Sequence, residues 1–145
     1  MGGFLVILQF GLLLLLALLA AGRVMEASVP VAALLPAGAS VVLGAWTLIH
    51  NRPGNFNVRP SPRQGGTLVR TGPYHWIRHP MYTSVLLGAG ALAWAADPVS
   101  GWLAWLALAL TLFIKATLEE RSMCQSYPAY AAYMRVSKRF VPWLL

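Results

Sequence analysis

Residues 2–22 read GGFLVILQFGLLLLLALLAAG, and this stretch sets the class of fold. It has no charged side chain, and Gln9 is its main polar interruption. About 20 consecutive apolar residues are enough to cross the ~30 Å hydrocarbon core of a bilayer as an α-helix. The stretch therefore predicts a transmembrane helix.

The composition of the whole chain agrees with a membrane protein. The 145 residues are 58% hydrophobic and 10% charged, whereas soluble domains are about 45–50% apolar and about 25% charged. A chain this short cannot hide so much apolar surface in a core surrounded by water. A soluble enzyme and a disordered region are excluded, and the single cysteine, Cys124, excludes a disulfide scaffold and a cysteine-rich zinc site. We expect one all-α integral membrane domain over residues 1–145, without a Rossmann domain.

Three further apolar stretches bring the prediction to about four transmembrane helices, at 3–22, 29–50, 80–96 and 99–119. The apolar parts of the last two are short, since each covers roughly 24 Å at 1.5 Å per residue. Only Asp97-Pro98 separates these two stretches, which predicts a tight helical hairpin whose other ends extend into a polar site. We expect Lys115 to snorkel, with its ammonium at the membrane surface.

The basic residues predict the orientation. The chain has 11 Lys and Arg against 4 Asp and Glu, a formal net charge of +7. Arg23 lies on one side of the expected helices, and the other ten lie on the opposite side: Arg52, Arg59, Arg63, Arg70, Arg78, Lys115, Arg121, Arg135, Lys138 and Arg139. The positive-inside rule places this basic side and both termini in the cytoplasm. The positive charge thus indicates an anionic membrane surface rather than nucleic acid.

Two segments lie outside the apolar stretches. The expected cytoplasmic loop at 51–79 is rich in Pro and Gly turns but also contains recurring aromatic and charged residues, which favours a functional loop. In the C-terminal segment, 120–145, apolar residues recur at helical intervals among basic ones between Tyr127 and Phe140. This pattern predicts an amphipathic helix on or under the bundle.

The first candidate site is the run GPYHWIRHPMY at residues 72–82. Pro80 suits the first position of the third helix, because its missing N–H costs nothing there. Arg78 and His79 then lie at the positive end of the helix dipole, where a carboxylate or another anion binds. The alternative is that Arg78 is only a cytoplasmic anchor in an aromatic belt formed by Tyr74, Trp76 and Tyr82.

The second candidate site is Glu119-Glu120, at the cytoplasmic end of the fourth helix. Carboxylates at a helix C-terminus oppose the helix dipole, so their presence needs a reason. A bound cation supplies one, and pairing with Lys115 or with a basic loop residue supplies another. The expected hairpin brings both candidate sites to one level. Together they suit a zwitterionic ligand that carries an extra positive charge.

Several motifs in this order resemble the isoprenylcysteine carboxyl methyltransferase and phospholipid methyltransferase superfamily. They are LVRTGPY at 68–74, RHPMY at 78–82, Glu119-Glu120, YPAY with a further tyrosine at 127–133, and Pro142. The resemblance covers roughly residues 60–145, and residues 1–59 resemble the family only as generic membrane helices. It implies an S-adenosylmethionine-dependent integral membrane methyltransferase with a lipophilic acceptor, either a prenylcysteine-type carboxylate or a lipid amine. It also implies a multi-pass protein, expected here in a prokaryotic inner membrane.

The resemblance also implies roles for individual residues. The residues that would hold the cofactor are Tyr74, His79, Tyr82, Glu119, Glu120, Tyr130 and Tyr133. In these roles the carboxylates hold the ammonium or ribose hydroxyls, and the tyrosines at 74, 130 and 133 wall the adenosine. The catalytic candidates are Arg78, which would orient an acceptor carboxylate, and His79 or Glu120, which would serve as the base for an amine. Two departures from the family pattern are Thr83-Ser84, where a glycine is frequent, and Tyr127, where a phenylalanine is common.

Three other functions are weighed against methyl transfer. His75 and His79 with a glutamate could bind a metal, although Pro80 interrupts a helix through both histidines, and we expect no metal. An NADPH-dependent membrane enzyme lacks support, because Gly88-x-Gly90 lies in an apolar helix and indicates helix packing. A small transporter or a non-catalytic adaptor is the third alternative. Apart from Lys115, the charges lie outside the apolar spans, which argues against transport.

Overall fold

The computed structural model describes residues 2–51 and 68–142. It contains four long helices, α1 (Gly2–Met25), α2 (Val31–His50), α3 (Pro80–Ala95) and α4 (Pro98–Ser126). A 3-10 turn at Gly72–His75 precedes α3, and a short helix, α5 (Tyr130–Val136), follows α4. Residues 52–67 of the expected loop, with Arg52, Arg59 and Arg63, lie outside the described residues, as do residues 1 and 143–145.

The all-α membrane fold predicted from the sequence is confirmed. Helices α1, α2 and α4 are long and apolar enough to cross a membrane. Helix α3 is the short member with 16 residues, or roughly 24 Å at 1.5 Å per residue. Helix α4 extends to Ser126 rather than ending near residue 119, so the Glu119-Glu120 pair lies inside the helix and not at its end.

Prolines set where three of the long helices begin. Pro30 immediately precedes α2, and Pro80 and Pro98 are the first residues of α3 and α4. Proline is favoured at a helix start because its fixed φ suits the helix and its missing N–H would have no partner there. Asp97 caps α4, since its side chain accepts hydrogen bonds from the backbone N–H groups of Val99 and Ser100.

Helix α3 lies at the centre of the bundle, where it contacts α1, α2 and α4. Its contact with α2 is built from small residues: the hydroxyls of Ser40 and Ser84 each donate to the other's backbone carbonyl, at 2.7 and 2.8 Å. Gly44 and Gly88 face these two serine side chains, which leaves room for the helices to approach closely. The expectation that Gly88-x-Gly90 serves helix packing is confirmed, because Gly90 lies against Trp105 of α4.

The α3–α4 hairpin is equally tight. A Cβ atom at Gly101 would lie 2.7 Å from the backbone oxygen of Ala93, so a glycine is needed at this approach. Further along the hairpin, Trp105 donates to the carbonyl of Leu86 at 2.9 Å. A hydrophobic core cluster of buried side chains lies along the α3–α4 contact and includes one residue of α1: Leu16, Ala89, Ala93, Ala104, Leu108 and Leu112. The hairpin thereby fixes the start of α3 beside the polar part of α4.

The prediction that Lys115 snorkels is wrong. Its side chain is buried in the bundle, and its ammonium donates a hydrogen bond to Oε1 of Gln9 at 2.8 Å. Gln9 lies on α1, whose packing against α4 provides this buried acceptor. An acceptor inside the bundle removes the need to reach the membrane surface.

Candidate functional site

The segment before α3 is held by the end of the chain. The backbone N–H groups of Arg78 and His79 donate to the carbonyls of Lys138 and Arg139, at 2.7 and 3.1 Å. In the opposite direction the N–H of Lys138 donates to the carbonyl of Trp76 at 2.9 Å. The residues after α5 therefore run parallel to residues 76–79 and pair with them like a short piece of sheet.

Two side-chain contacts reinforce this pairing. The Tyr133 hydroxyl, on α5, donates to the backbone carbonyl of Tyr74 at 2.5 Å. The Thr83 hydroxyl, in the first turn of α3, donates to the carbonyl of Phe140 at 2.8 Å. Residues 127–142, the C-terminal segment that follows α4 in the structure, thus cover the region where the first candidate site lies.

Glu120 is the centre of the polar cluster. Its Oε1 accepts from Nε of Arg78 at 2.7 Å and lies 3.2 Å from Nε2 of His79. Its Oε2 accepts from the guanidinium of Arg139. Only 4% of the Glu120 side chain is exposed, so three cationic or potentially cationic groups compensate one buried carboxylate.

The guanidinium of Arg78 donates hydrogen bonds to two different parts of the chain. While Nε meets Glu120, Nη1 donates to the carbonyls of Met134 and Ser137, the latter being the residue that follows α5. The guanidinium of Arg78 therefore joins α4 to the C-terminal segment, a geometry for which arginine is suited and lysine is not.

His79 lies between the two carboxylates. Its Nδ1 is 3.5 Å from Oε2 of Glu119, and its Nε2 faces Glu120. Burial alone lowers the pKa of His79, but the hydrogen bonds and negative charges of Glu119 and Glu120 outweigh it and raise the pKa above 6.5. The imidazole ring stacks on Tyr82, with ring centres 5.4 Å apart, and also contacts Phe140.

Glu119 is the more accessible of the two carboxylates. Its Oε1 accepts from the Tyr82 hydroxyl at 2.5 Å, while its Oε2 faces His79. About a fifth of its side chain is exposed, 19% against 4% for Glu120. Both oxygens of each glutamate contact protein groups, but the greater exposure of Glu119 leaves it acceptor capacity for a ligand, whereas Glu120 is almost fully enclosed.

Three tyrosines lie beside the cluster. The rings of Tyr130 and Tyr133 on α5 meet with centres 5.7 Å apart, and Tyr74 is tied to Tyr133 through its backbone carbonyl. Burial raises the pKa of Tyr74 and of Tyr133 to about 12. The hydroxyls of Tyr74 and Tyr133 consequently stay protonated and uncharged at physiological pH.

The structure brings together the two candidate sites that the hairpin was expected to join. Arg78, His79 and Tyr82 lie against Glu119 and Glu120, with the tyrosines of α5 at the side. Glu119 pairs with Tyr82 and His79 rather than directly with Lys115. His75 is exposed and its ring contacts Trp76. Within residues 2–51 and 68–142, no group of three or more His, Cys, Asp or Glu side chains is arranged to hold a metal ion.

Sequence reasoning missed Arg139. It entered the prediction only as one of ten basic residues on the cytoplasmic side, yet it binds Glu120 and Thr117 and covers the Phe113 ring at 4.8 Å. No local motif identifies it, because its role depends on the pairing between residues 76–79 and the end of the chain. The adjacent carboxylates of Glu119 and Glu120 are a weak indication of such a residue, because two neighbouring acids on a basic face need more than one cationic partner.

Residues 38–125 match the isoprenylcysteine carboxyl methyltransferase (ICMT) family, which is more than half of the chain. The chain belongs to this family. The match includes the Arg78–Tyr82 run, the hairpin and the Glu119-Glu120 pair, so the cluster described above lies largely inside the family's shared region. Arg139 and the tyrosines of α5 come from the segment that follows it.

Two curated relatives carry names that refer to metal resistance. The cobalt-zinc-cadmium resistance protein CzcN of Cupriavidus metallidurans is 37% identical over 86 residues, which is 58% of this chain and 39% of CzcN. The nickel-cobalt-cadmium resistance protein NccN of Alcaligenes xylosoxydans xylosoxydans is 33% identical over 86 residues, 58% of this chain and 40% of NccN. The chain therefore spans about two fifths of the length of these relatives.

Proposed function

We propose that this protein transfers a methyl group from S-adenosylmethionine to a lipophilic acceptor at the cytoplasmic face of a membrane. The observation that carries the proposal is the buried cluster of Arg78, His79, Glu119 and Glu120, where α3 begins beside α4, in a chain of the ICMT family. The expected setting is a prokaryotic inner membrane with both termini in the cytoplasm, as the distribution of basic residues indicates.

The chemistry of the cluster fits this cofactor. S-adenosylmethionine has an α-ammonium and ribose hydroxyls, which carboxylates bind, and a carboxylate, which cationic groups bind. Glu119 has the acceptor capacity for an ammonium or hydroxyls, and the His79 imidazole, whose pKa the two carboxylates raise, lies beside it. Tyr74, Tyr130 and Tyr133 present neutral aromatic surfaces of the kind that stack on a nucleobase.

The two glutamates have different roles in this proposal. Glu119 contacts the cofactor, because its side chain is the more exposed of the two. Glu120 holds Arg78, His79 and Arg139 in place, because both of its oxygens already bind protein groups. Arg78 in turn ties the C-terminal segment over the site through two backbone carbonyls.

When bound, S-adenosylmethionine supplies a methyl group activated by its sulfonium. The protein's task is then to orient the acceptor in line with that group and to exclude water. An anionic acceptor loses its charge as the methyl is transferred, so the buried setting of the cluster favours the reaction relative to water. The docked C-terminal segment supplies part of that exclusion.

The protonation of the cluster favours a carboxylate acceptor over an amine. A protonated amine needs a base, and the hydrogen bonds and charges of Glu119 and Glu120 raise the pKa of His79, which favours the charged imidazole over the neutral form that accepts a proton. Glu120 is a poor base as well, since Arg78 and Arg139 stabilise its ionised form. A carboxylate acceptor needs no base, and the cationic side chains of the site orient it.

The names of CzcN and NccN suggest a second candidate function, which is a cellular role in resistance to divalent metals. The supporting observation is the 37% identity to CzcN over 86 residues. This candidate is compatible with methyl transfer. Growth of a deletion strain on cobalt, zinc, cadmium and nickel salts tests it, with the Glu119→Gln variant as the complementation control.

The decisive test of the proposed function uses the full chain purified in detergent. Calorimetry with S-adenosylhomocysteine is expected to show saturable binding at one site per chain. Labelled S-adenosylmethionine should then transfer its methyl group to members of a panel of lipophilic carboxylates rather than to the matching amines. Absence of binding by a folded preparation would contradict the proposal, and transfer to amines alone would contradict the assignment of a carboxylate acceptor.

A further inference from the structure

Lys115 is fully buried, although it is a charged residue on a helix long and apolar enough to cross a membrane. Its exposed fraction is 2%, and its ammonium donates to Oε1 of Gln9 on α1 at 2.8 Å. Gln9 is itself buried, at 7%. An ionisable side chain inside a membrane bundle is costly, so its position points to a part in function.

Among the described residues, no carboxylate forms a direct ion pair with Lys115. Across the residues described here, its ammonium forms no ion pair within 4.0 Å. Glu119, one helical turn further along α4, has Tyr82 and His79 as its partners instead. Simple charge pairing therefore does not explain why the lysine is buried.

The ring of Tyr82 connects Lys115 to the cluster. The ammonium lies 5.1 Å from the centre of this ring, within the distance of a cation–π contact. The hydroxyl of the same ring donates to Glu119 at 2.5 Å, and the ring itself stacks on His79. One aromatic side chain thus links the buried ammonium to two residues of the candidate site.

We propose that Gln9 and Lys115 are positioning residues of the methyl-transfer site. Gln9 fixes the ammonium of Lys115, Lys115 holds the ring of Tyr82, and Tyr82 orients Glu119 and His79. This role rests on the proposed function, because the residues that Tyr82 orients, Glu119 and His79, are the ones proposed to hold the cofactor. It also gives α1, which lies before the family match at residues 38–125, a part in the site.

The test measures the affinity of the detergent-purified full chain for S-adenosylhomocysteine by calorimetry. Lys115→Met removes the charge but keeps a long unbranched side chain, and we expect the affinity to fall roughly five- to thirtyfold, the value of one buried cation–π contact. Lys115→Arg, whose guanidinium also binds an aromatic face, retains most of the affinity. Gln9→Leu weakens binding in the same direction while leaving Lys115 in place.

Thr111→Val is the matched control. Thr111 is buried one turn before Lys115 on α4, and its hydroxyl bonds to the carbonyl of Ala107 in its own helix. This variant should bind S-adenosylhomocysteine like the wild type. It reports the effect of losing a buried polar group from α4 without touching Tyr82.

A second measurement separates positioning from packing. Tyr82→Leu removes the ring that links Lys115 to Glu119 and His79, so adding Lys115→Met to it should change the affinity by less than about twofold. A packing role would instead lower the unfolding temperature with the affinity unchanged, or reduce the affinity equally in both backgrounds. Either result overturns the positioning role.

The failure of this inference is distinguishable from the failure of the proposed function. A folded wild-type protein that does not bind S-adenosylhomocysteine overturns both. A wild-type protein that binds it, together with Lys115→Met and Gln9→Leu variants that bind it equally well, overturns the positioning role alone. Gln9→Leu supplies this comparison independently of how Lys115→Met inserts into the membrane.

Discussion

Nε of Arg78 lies 2.7 Å from Oε1 of Glu120, and this contact ties the segment before α3 to α4. The same guanidinium donates to the carbonyls of Met134 and Ser137 in the C-terminal segment. Three parts of the chain that are distant in sequence therefore meet at one side chain. The integrity of the candidate site depends on the planar, forked shape of that group.

Arg78→Lys is expected to fail nearly as badly as Arg78→Ala. A lysine carries one compact charge and cannot serve Glu120 and two carbonyls at once. Because Glu120 and these carbonyls are largely screened from water, we expect each variant to lose about 2–3 kcal/mol of unfolding free energy and most of its affinity for S-adenosylhomocysteine. Unfolding in detergent and calorimetry measure the two effects.

The matched control is Arg121→Lys, because Arg121 is exposed on the same side of the molecule. It should behave like the wild type. If Arg78 served only as a cytoplasmic anchor, lysine would replace it equally well, since the positive-inside rule counts both residues. Near-wild-type binding and stability in Arg78→Lys would therefore return Arg78 to the role of an anchor.

Gly101→Ala is expected to open the α3–α4 hairpin. Its Cβ would lie 2.7 Å from the carbonyl oxygen of Ala93 and 3.0 Å from Cβ of Ala96, and a backbone atom cannot rotate away. Overpacking of this kind costs about 1–3 kcal/mol. Gly11→Ala in α1, where no described residue beyond the adjacent turns of α1 lies within 4 Å of the added Cβ, is the control and should be neutral or slightly stabilising.

Equal unfolding temperatures for Gly101→Ala and Gly11→Ala would show that the hairpin is looser than its geometry indicates. The hairpin also sets the register between Glu119 and His79. Gly101→Ala should therefore weaken binding of S-adenosylhomocysteine as well, although the glycine lies at the opposite end of both helices from the site.

The sequence predicts the helices well where local chemistry decides them. Pro80 and Pro98 mark the starts of α3 and α4, and the two residues between the apolar stretches give the hairpin. The end of α4 was harder to place, because the apolar run ends before the helix does. Residues 119–126 continue as a polar helix, which hydropathy alone does not indicate.

Long-range contacts are what the sequence could not supply. The C-terminal helix was expected between Tyr127 and Phe140, and it forms, but over Tyr130–Val136 only. The residues after it extend because their backbone pairs with residues 76–79. That pairing places Arg139 on Glu120, just as the packing of α1 on α4 places Gln9 on Lys115. Neither partner has a local signal, since each depends on where another element lies.

The stability of the protein is expected to fall as the pH rises through the pKa of His79. Burial opposes the charged imidazole, but Glu119 and Glu120 outweigh burial and raise the pKa above 6.5 in the folded protein. The stabilisation is therefore fully present below about pH 6.5 and is lost as the pH rises through the higher folded pKa. Unfolding temperatures in detergent between about pH 6 and about pH 9 measure this decline.

His79→Gln should be less stable than the wild type at the acidic end of that range. Its unfolding temperature should also decline much less than that of the wild type as the pH rises. His75→Gln is the control, because His75 is exposed and its ring contacts Trp76 rather than a carboxylate. It should follow the wild-type profile. An undiminished decline in His79→Gln would mean that another group is responsible.

Glu119→Gln and Glu120→Gln are expected to fail in different ways, although the residues are adjacent. Glu120 compensates Arg78 and Arg139 with a side chain that is 4% exposed. Breaking a buried ion pair from one side leaves an uncompensated charge and costs about 3–5 kcal/mol. Glu119 is more exposed, and its partners are the neutral Tyr82 hydroxyl and, at 3.5 Å, the His79 ring, so Glu119→Gln should cost less, about 1 kcal/mol.

When binding is compared among the folded fractions, Glu119→Gln should have a larger effect than Glu120→Gln, which is the reverse of their order in stability. Glu119→Gln removes the charge that we assign to the cofactor's ammonium, so its affinity for S-adenosylhomocysteine should fall by roughly tenfold or more, the value of a charge-assisted hydrogen bond. Glu120→Gln should lose its affinity mainly through unfolding of the C-terminal segment. Limited proteolysis after Ser126 detects that unfolding directly, and Glu119→Gln should remain protected. Equal losses of stability and of affinity in the two variants would mean that the carboxylates act as a single unit, and the division of roles between them would then be wrong.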